Sequence, residues 1–347
     1  MSRWIDFSED ERKAMIQVIS EEKGIDEASV EKDWWVTMVL YALFHSSISN
    51  YLLFKGGTSL SKGWGIINRF SEDIDLALSR DFFLNEKQLS CARCTSNTQI
   101  HNLREKAQDF LFGEFKAELN RKFKEWGIDV AVLDDNEMSG NNNEVGKVPH
   151  DKDPSALFVS YPSLYKDKNG YVEPTVKIEI SVLSMNEPTE MRRISSLIEQ
   201  AFTTEKVDSD FVQTVPIVSP ARTFLEKAFL LCEEFQKEKP RTHRMTRHFY
   251  DIEKLSHTPY IDSALNNKTL YCNIVEHRKK FYHVGYVDYN KELPQNIQIV
   301  PDNKWIALFK ADYNKMRESF IYGNTIDFDK LIEKLSEIQN RFRQCAF

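Results

Sequence analysis

Phe54-Lys55-Gly56-Gly57-Thr58-Ser59-Leu60-Ser61-Lys62, followed after a short connection by Arg69-Phe70-Ser71-Glu72-Asp73-Ile74-Asp75-Leu76, is the stretch on which the fold turns. Residues 51–54 (Tyr-Leu-Leu-Phe) read as a short buried strand, Gly56-Gly57 as a turn, and 59–65 as a short helix. Residues 73–78 alternate polar and apolar as a half-buried strand does. In a strand, residues two apart face the same side, roughly 7 Å apart. Asp73 and Asp75 therefore project together while Ile74 and Leu76 face the core.

Two carboxylates at that separation can hold one or two Mg2+ (or Mn2+) ions, which polarise an α-phosphate and activate an attacking hydroxyl. Gly56 and Gly57 let backbone amides approach phosphate oxygens. Thr58 and Ser59 add hydroxyl donors at a helix start, where the dipole favours anions. Lys62 and Arg69 carry the charge to neutralise a triphosphate. A Gly-Gly turn alone is an ordinary turn, and an Asp-x-Asp alone an exposed strand edge. Their order and spacing together point to an NTP-using, Mg2+-dependent nucleotidyltransferase.

Glu179 has a separate physical case. It lies two residues from Lys177 on a strand, and a third carboxylate on a neighbouring strand suits two-metal transfer. The alternatives are a solvated strand residue for Glu179 and, for Lys177, an ion pair with Glu179.

Working outward, 7–23 and 26–45 read as helices, the first with a capping-box pair Ser8/Glu11. A long amphipathic helix is expected over 99–126, and strands over 128–133, 156–161 and 175–183. The polar stretch 134–155, with Gly140, three consecutive Asn and Pro149, reads as a long surface loop. From Pro220 the periodicity is helical: 220–237, 245–256, 262–280, 302–320 and 327–343. The expected layout is 1–48 as N-terminal helices packed on the core, 49–217 as an α/β catalytic core, and 218–347 as a helical C-terminal domain.

With 347 residues, 41% hydrophobic and 29% charged, the chain can bury a sizeable core. A net charge of −7 argues against a uniformly basic nucleic-acid binder, though not against a local basic face. The start Met-Ser-Arg-Trp-Ile-Asp has no signal-peptide pattern, and the longest apolar stretch, 34–44, is too short for a bilayer. The expectation is a cytoplasmic protein without membrane partners. Five scattered cysteines argue against a disulfide framework, and the lone Cys91/Cys94 pair lacks a partner pair at zinc spacing.

The stretch quoted first resembles the pol-β-like nucleotidyltransferase signature. More narrowly, Lys55-Gly-Gly-Thr-Ser-Leu with Arg69-Phe-Ser-Glu-Asp-Ile-Asp-Leu is similar to the AbiEii/AbiGii toxin family of type IV toxin–antitoxin and abortive-infection systems. Glu31-Lys32-Asp33, Val176-Lys177-Ile178-Glu179-Ile180, Arg222-Thr223-Phe224-Leu225-Glu226-Lys227, Arg247-His248-Phe249-Tyr250-Asp251-Ile252 and the run from Asp312-Tyr313 to Tyr322-Gly323 resemble later motifs of that family, in order. The resemblance implies an α+β fold: a pol-β-like core with a mixed sheet, N-terminal helices and a helical C-terminal domain. It implies Gly57 and Ser59 on nucleotide phosphates and Asp73 and Asp75 on metal. It makes Lys177 a triphosphate-contacting or acceptor-activating residue and Asp251 a catalytic one. It also implies transfer of NMP from NTP to RNA, such as the tRNA 3′ end, and a cognate antitoxin.

Helical spacing places Arg244, Arg247, His248 and Asp251 on one face, to be read as a phosphate- or RNA-contacting surface or as a solvated salt-bridge face. Glu226 and Lys227 can pair with that face or form a structural bridge. Arg278, Lys279, Lys280, Tyr282 and Tyr286 can meet a nucleic-acid backbone, or form a solvated helix end. Transfer to a protein or small molecule, a catalytically silent binding module of the same fold, and a metal-dependent nuclease are the competing readings. The intact Gly57, Ser59, Asp73 and Asp75 oppose the silent module, and a nuclease needs no phosphate cradle ahead of its acids.

Overall fold

The computed structural model describes residues 2–141, 149–165, 173–185 and 188–345. The chain divides into two compact units, Met1–Gly63 with Ser71–Ile217, and Trp64–Phe70 with Val218–Phe347.

In the first unit, helix α1 (Glu9–Lys23) opens on the capping box of Ser8 and Glu11 and closes on Gly24 in the left-handed region, φ 63°. Helix α2 (Glu27–Phe44) is capped by Asp26 and buries Val30, Trp34, Trp35, Val36, Met38, Val39 and Leu40. A helix apolar around most of its circumference must be enclosed on all sides. An aromatic row supplies part of that enclosure: Trp4 lies 4.9 Å from Trp34, Trp34 4.8 Å from Trp35, and Trp35 stacks on Tyr161 at 4.7 Å. The indole of Trp34 and the backbone amide of Trp4 both donate to Asp208.

The strands are β1 (Leu52–Lys55), β2 (Ile74–Leu78), β3 (Ala131–Asp134), β4 (Ser155–Ser160), β5 (Thr175–Ser181), β6 (Thr189–Ile194) and β7 (Gln213–Val218). They form one mixed seven-stranded sheet in the order β3-β4-β5-β2-β1-β7-β6. The short helix α3 (Gly56–Lys62) connects β1 toward β2, which returns antiparallel with Lys55 opposite Asp75. On its other side β2 runs parallel to β5, with Asp75 opposite Glu179. Period-2 alternation buries Ile74, Leu76, Val176, Ile178 and Ile180 and leaves Asp75, Lys177 and Glu179 half-exposed on the opposite face.

Several elements differ from expectation. The helix expected over 99–126 is two helices, Asn97–Phe110 and Lys116–Glu125, joined by a π-helical turn over Leu111–Phe115. The wider turn lets Phe110, Leu111 and Phe115 all be buried, in an aromatic cluster with Phe82 and Phe83. Asp135–Asn141 is helical where a loop was expected, and 142–148 of that loop lie outside the described residues. β6 and β7 escaped the sequence reading. β6 is mostly exposed and does not alternate, and β7 carries Pro216, a residue that argues against a paired strand.

The second unit holds the helices Pro220–Glu234, Thr246–Ser256, Tyr260–Asn266, Lys268–Phe281, Ile306–Ser319 and Phe328–Arg343. The single helix expected over 262–280 is broken at Asn267, whose side chain accepts from Leu270 N and caps the second piece. The core of this unit includes Phe224 stacked on Phe342, and Phe249 against Phe309. Among the described residues no helix is long and apolar enough to cross a membrane.

Candidate active site

The Gly56 turn and Asp75 of β2 are fitted to each other by volume. Gly56 has φ 76°, a left-handed conformation that L side chains resist. A Cβ built there would fall 1.8 Å from Asp75 Oδ2, 2.6 Å from its Cγ and 2.8 Å from its Cβ. The Asp75 carboxylate thus occupies the space that any side chain at residue 56 would need. Behind it, the Thr58 hydroxyl donates to the Asp73 carbonyl oxygen at 2.5 Å and to Ser71 Oγ at 3.0 Å. The Ser59 hydroxyl donates to the Gly56 carbonyl at 2.9 Å. Both residues are buried, and in place of the outward donation expected of them Thr58 ties the turn to the start of β2 while Ser59 closes the turn on itself.

The β2–β5 register brings Glu179 beside Asp75, and the β4–β5 register brings Lys177 beside Phe158. Lys177 donates to Glu179, as the structural alternative expected. Partial burial opposes its charge, but Glu179, Asp73 and Asp135 outweigh this and hold its pKa above the ordinary lysine value. Lys177 is therefore an ammonium that senses Asp73 as well as Glu179. Asp135, buried at the end of β3, accepts from Lys152 Nζ at 2.8 Å. Sequence reasoning passed over it; its only signal was an Asp-Asp pair closing a strand.

Lys62 is held by Asp33 of α2 at 2.5 Å, and Asp33 also accepts from Leu197 N. Arg69 lies in the second unit and is buried. Its guanidinium grips Asp251 through two bonds, Nε to Oδ1 at 2.7 Å and a terminal nitrogen to Oδ2 at 2.8 Å. Lys227 adds a third cation contact at 2.8 Å. Asp251 is fully buried; burial alone would raise its pKa, yet Arg69 and Lys227 hold the carboxyl below the usual carboxylate range. Two residues singled out separately, Arg69 and Asp251, are thus one buried ion pair. Of the face expected around Asp251, Arg244 stands before the helix with φ 57°, because the Asp312 carboxylate accepts from the Arg244 and Thr246 amides. His248 is buried, and among the described residues neither ring nitrogen has a hydrogen-bond partner. Desolvation, reinforced by Lys227 and Arg247, keeps it neutral.

The basic run on the Lys268–Phe281 helix is divided as well. Arg278 is buried in a bond to Glu233 at 2.5 Å and lies 3.6 Å from Glu292, with Tyr282 under its guanidinium. Lys279, Lys280 and Tyr286 remain on the surface.

Asp73 immediately precedes β2, and Asp75 stands opposite Glu179; carboxylate oxygens are the donors that Mg2+ takes together with substrate phosphates. Among the described residues no group of three or more His, Cys, Asp or Glu is placed to hold a metal ion.

No curated relative matches the chain. Among solved structures it is similar to MenT4, a nucleotidyltransferase toxin from Mycobacterium tuberculosis, at 15% identity and a TM-score of 0.40, covering 95% of this chain and 97% of that one. The sequence matches the family model "Nucleotidyl transferase AbiEii toxin, Type IV TA system" over residues 39–334. That span includes the glycine turn, both acid-bearing strands and most of the helical unit, and the chain accordingly belongs to the AbiEii family of nucleotidyltransferase toxins of type IV toxin–antitoxin systems.

Proposed function

We propose that the chain transfers NMP from an NTP to an RNA acceptor, such as the 3′ end of tRNA, in a Mg2+-dependent reaction that releases pyrophosphate. The observation that carries this reading is the seating of the Asp75 carboxylate in the space left by Gly56, with Glu179 in register beside it. When bound, the metal supplies Lewis-acid polarisation of the α-phosphate and a more acidic acceptor hydroxyl. Asp73, Asp75 and Glu179 would hold it. The backbone at Gly56 and Gly57 accommodates the triphosphate at close range. Lys177, kept protonated by its acidic neighbours, neutralises phosphate charge and is not a proton acceptor. Thr58 holds the turn to the start of β2, Ser59 braces the turn internally through the Gly56 carbonyl, and Lys62 steadies α3 through Asp33. Arg69 and Asp251 act as a pair that orders the second unit.

The reading further includes a cognate antitoxin that opposes the toxicity, in keeping with the family, and a cytoplasmic location. The test is partition of label: α-labelled NTPs with Mg2+ are incubated with total tRNA and total protein. Label in RNA, with RNA length conserved or extended, supports the proposal. Label in protein, or shortened RNA, overturns the acceptor assignment.

A further inference from the structure

Three consecutive residues of α2 hold three separate parts of the first unit. Glu31, buried, accepts from Ser163 Oγ at 2.6 Å and from Leu164 N at 2.8 Å, fixing the chain after β4. Asp33 holds Lys62 at the end of α3. Between them Lys32, 2% exposed, donates to Glu72 Oε2 at 2.6 Å and to the Glu173 carbonyl oxygen at 3.0 Å. Glu72 immediately precedes Asp73, and Glu173 lies two residues before β5, the strand of Lys177 and Glu179. One ammonium therefore ties the leading ends of both acid-bearing strands.

A lysine is rarely buried this fully unless its charge is compensated. Lys32 shares α2 with buried apolar residues such as Trp35 and Val36, and an apolar residue at a buried position carries a lower desolvation cost than a cation. The parallel β2–β5 pair otherwise relies on slanted ladder bonds to set its register. A small slip there would change how Asp75 meets Glu179.

We propose that Lys32 is a positioning residue for nucleotidyl transfer: by gripping Glu72 and the Glu173 carbonyl it sets β2 against β5, and so the spacing of the metal-holding carboxylates. This rests on the metal-site reading proposed above.

The test compares the full-length wild type with Lys32→Met, Lys32→Arg, Glu72→Gln and Asp75→Asn. Mn2+ binding is read by electron paramagnetic resonance, NMP transfer as separate kcat and KM, and folding as a thermal midpoint. Each assay is run well below that midpoint. Lys32→Met and Glu72→Gln are expected to weaken Mn2+ binding and lower kcat by about tenfold to a hundredfold, with KM for NTP within about threefold and substantial recovery in Lys32→Arg. If folded Lys32→Met or Glu72→Gln binds Mn2+ and turns over within about twofold of wild type, Lys32 only supports the fold and the inference is overturned. Should Lys32→Met not fold, Glu72→Gln decides by the same criteria. Undiminished Mn2+ binding by Asp75→Asn overturns the metal-site reading and this inference with it. Loss of binding in Asp75→Asn alone overturns only the role of Lys32.

Discussion

Substituting Gly56 by alanine isolates the fit between the glycine turn and the acid strand. Two costs arise. The first is conformational: φ 76° at an L residue costs about 1–2 kcal/mol. The second is steric: the new methyl would sit 1.8 Å from Asp75 Oδ2, and Cγ and Cβ also lie inside 3.0 Å. Because three atoms of the carboxylate arm are involved, rotating its tip is not enough. The side chain must leave its rotamer or β2 must shift, an overpacking cost of about 1–3 kcal/mol. Together the destabilisation is about 2–5 kcal/mol. The catalytic effect is larger, because a displacement of about 1 Å at a reacting constellation costs about a hundredfold in rate.

Gly24→Ala is the matched control. Gly24 has φ 63° and nothing within 4 Å of a built Cβ, so it bears the backbone strain alone. The assay is kcat/KM for NMP transfer beside thermal unfolding. Gly24→Ala is expected to lose about 1–2 kcal/mol of stability and no activity, and Gly56→Ala to lose at least about a hundredfold in transfer. Transfer by folded Gly56→Ala within about threefold of Gly24→Ala would refute the reasoning.

Further outcomes follow from the buried charges and the donor set. Asp251→Asn leaves Arg69 and Lys227 buried without their shared carboxylate and is expected to cost about 3–5 kcal/mol in denaturant unfolding. Since Asp251 titrates below its ordinary 3.8 in the folded chain, its contribution is complete above about pH 4 and lost as pH falls, so the gap between wild type and Asp251→Asn should narrow below pH 4. Glu292 moves the opposite way: burial, with Glu233 nearby and despite Arg278, pushes its carboxyl from 4.5 up to about 9. The folded chain keeps a proton that the unfolded chain releases, so wild-type stability should fall between about pH 4.5 and 9, and Glu292→Gln should flatten that fall in unfolding curves. Parallel curves would refute it. Chelation of divalent ions should abolish NMP transfer, with recovery on adding Mg2+ or Mn2+; transfer that persists in chelator would remove the metal from the reaction.

Much of the site's scaffold was legible in the chain. The Gly-Gly turn, the alternating β2 acids and the Lys177/Glu179 spacing are local patterns, and local periodicity dictates which side chains share a face. What was not legible depended on distant partners. Lys62 and Arg69 read as open cations because Asp33 and Asp251 stand 29 and 182 residues away. Thr58 read as a phosphate donor, but the Asp73 carbonyl that takes its hydroxyl lies 15 residues away; for Ser59 the competing acceptor is local, the Gly56 carbonyl three residues back. Sequence explained Gly56 as a permissive turn residue, whereas the structure adds a carboxylate in the space of its absent side chain. β6 and β7 were missed for lack of a clean apolar pattern, in one case through exposure and in the other through Pro216.

The most direct test of the acid pair is pyrophosphate release and label transfer from α-labelled NTPs to purified tRNA, measured for wild type and for Asp75→Ala with matched thermal midpoints. Wild type should give labelled tRNA and stoichiometric pyrophosphate, and Asp75→Ala neither. Transfer by Asp75→Ala at the wild-type rate would contradict it.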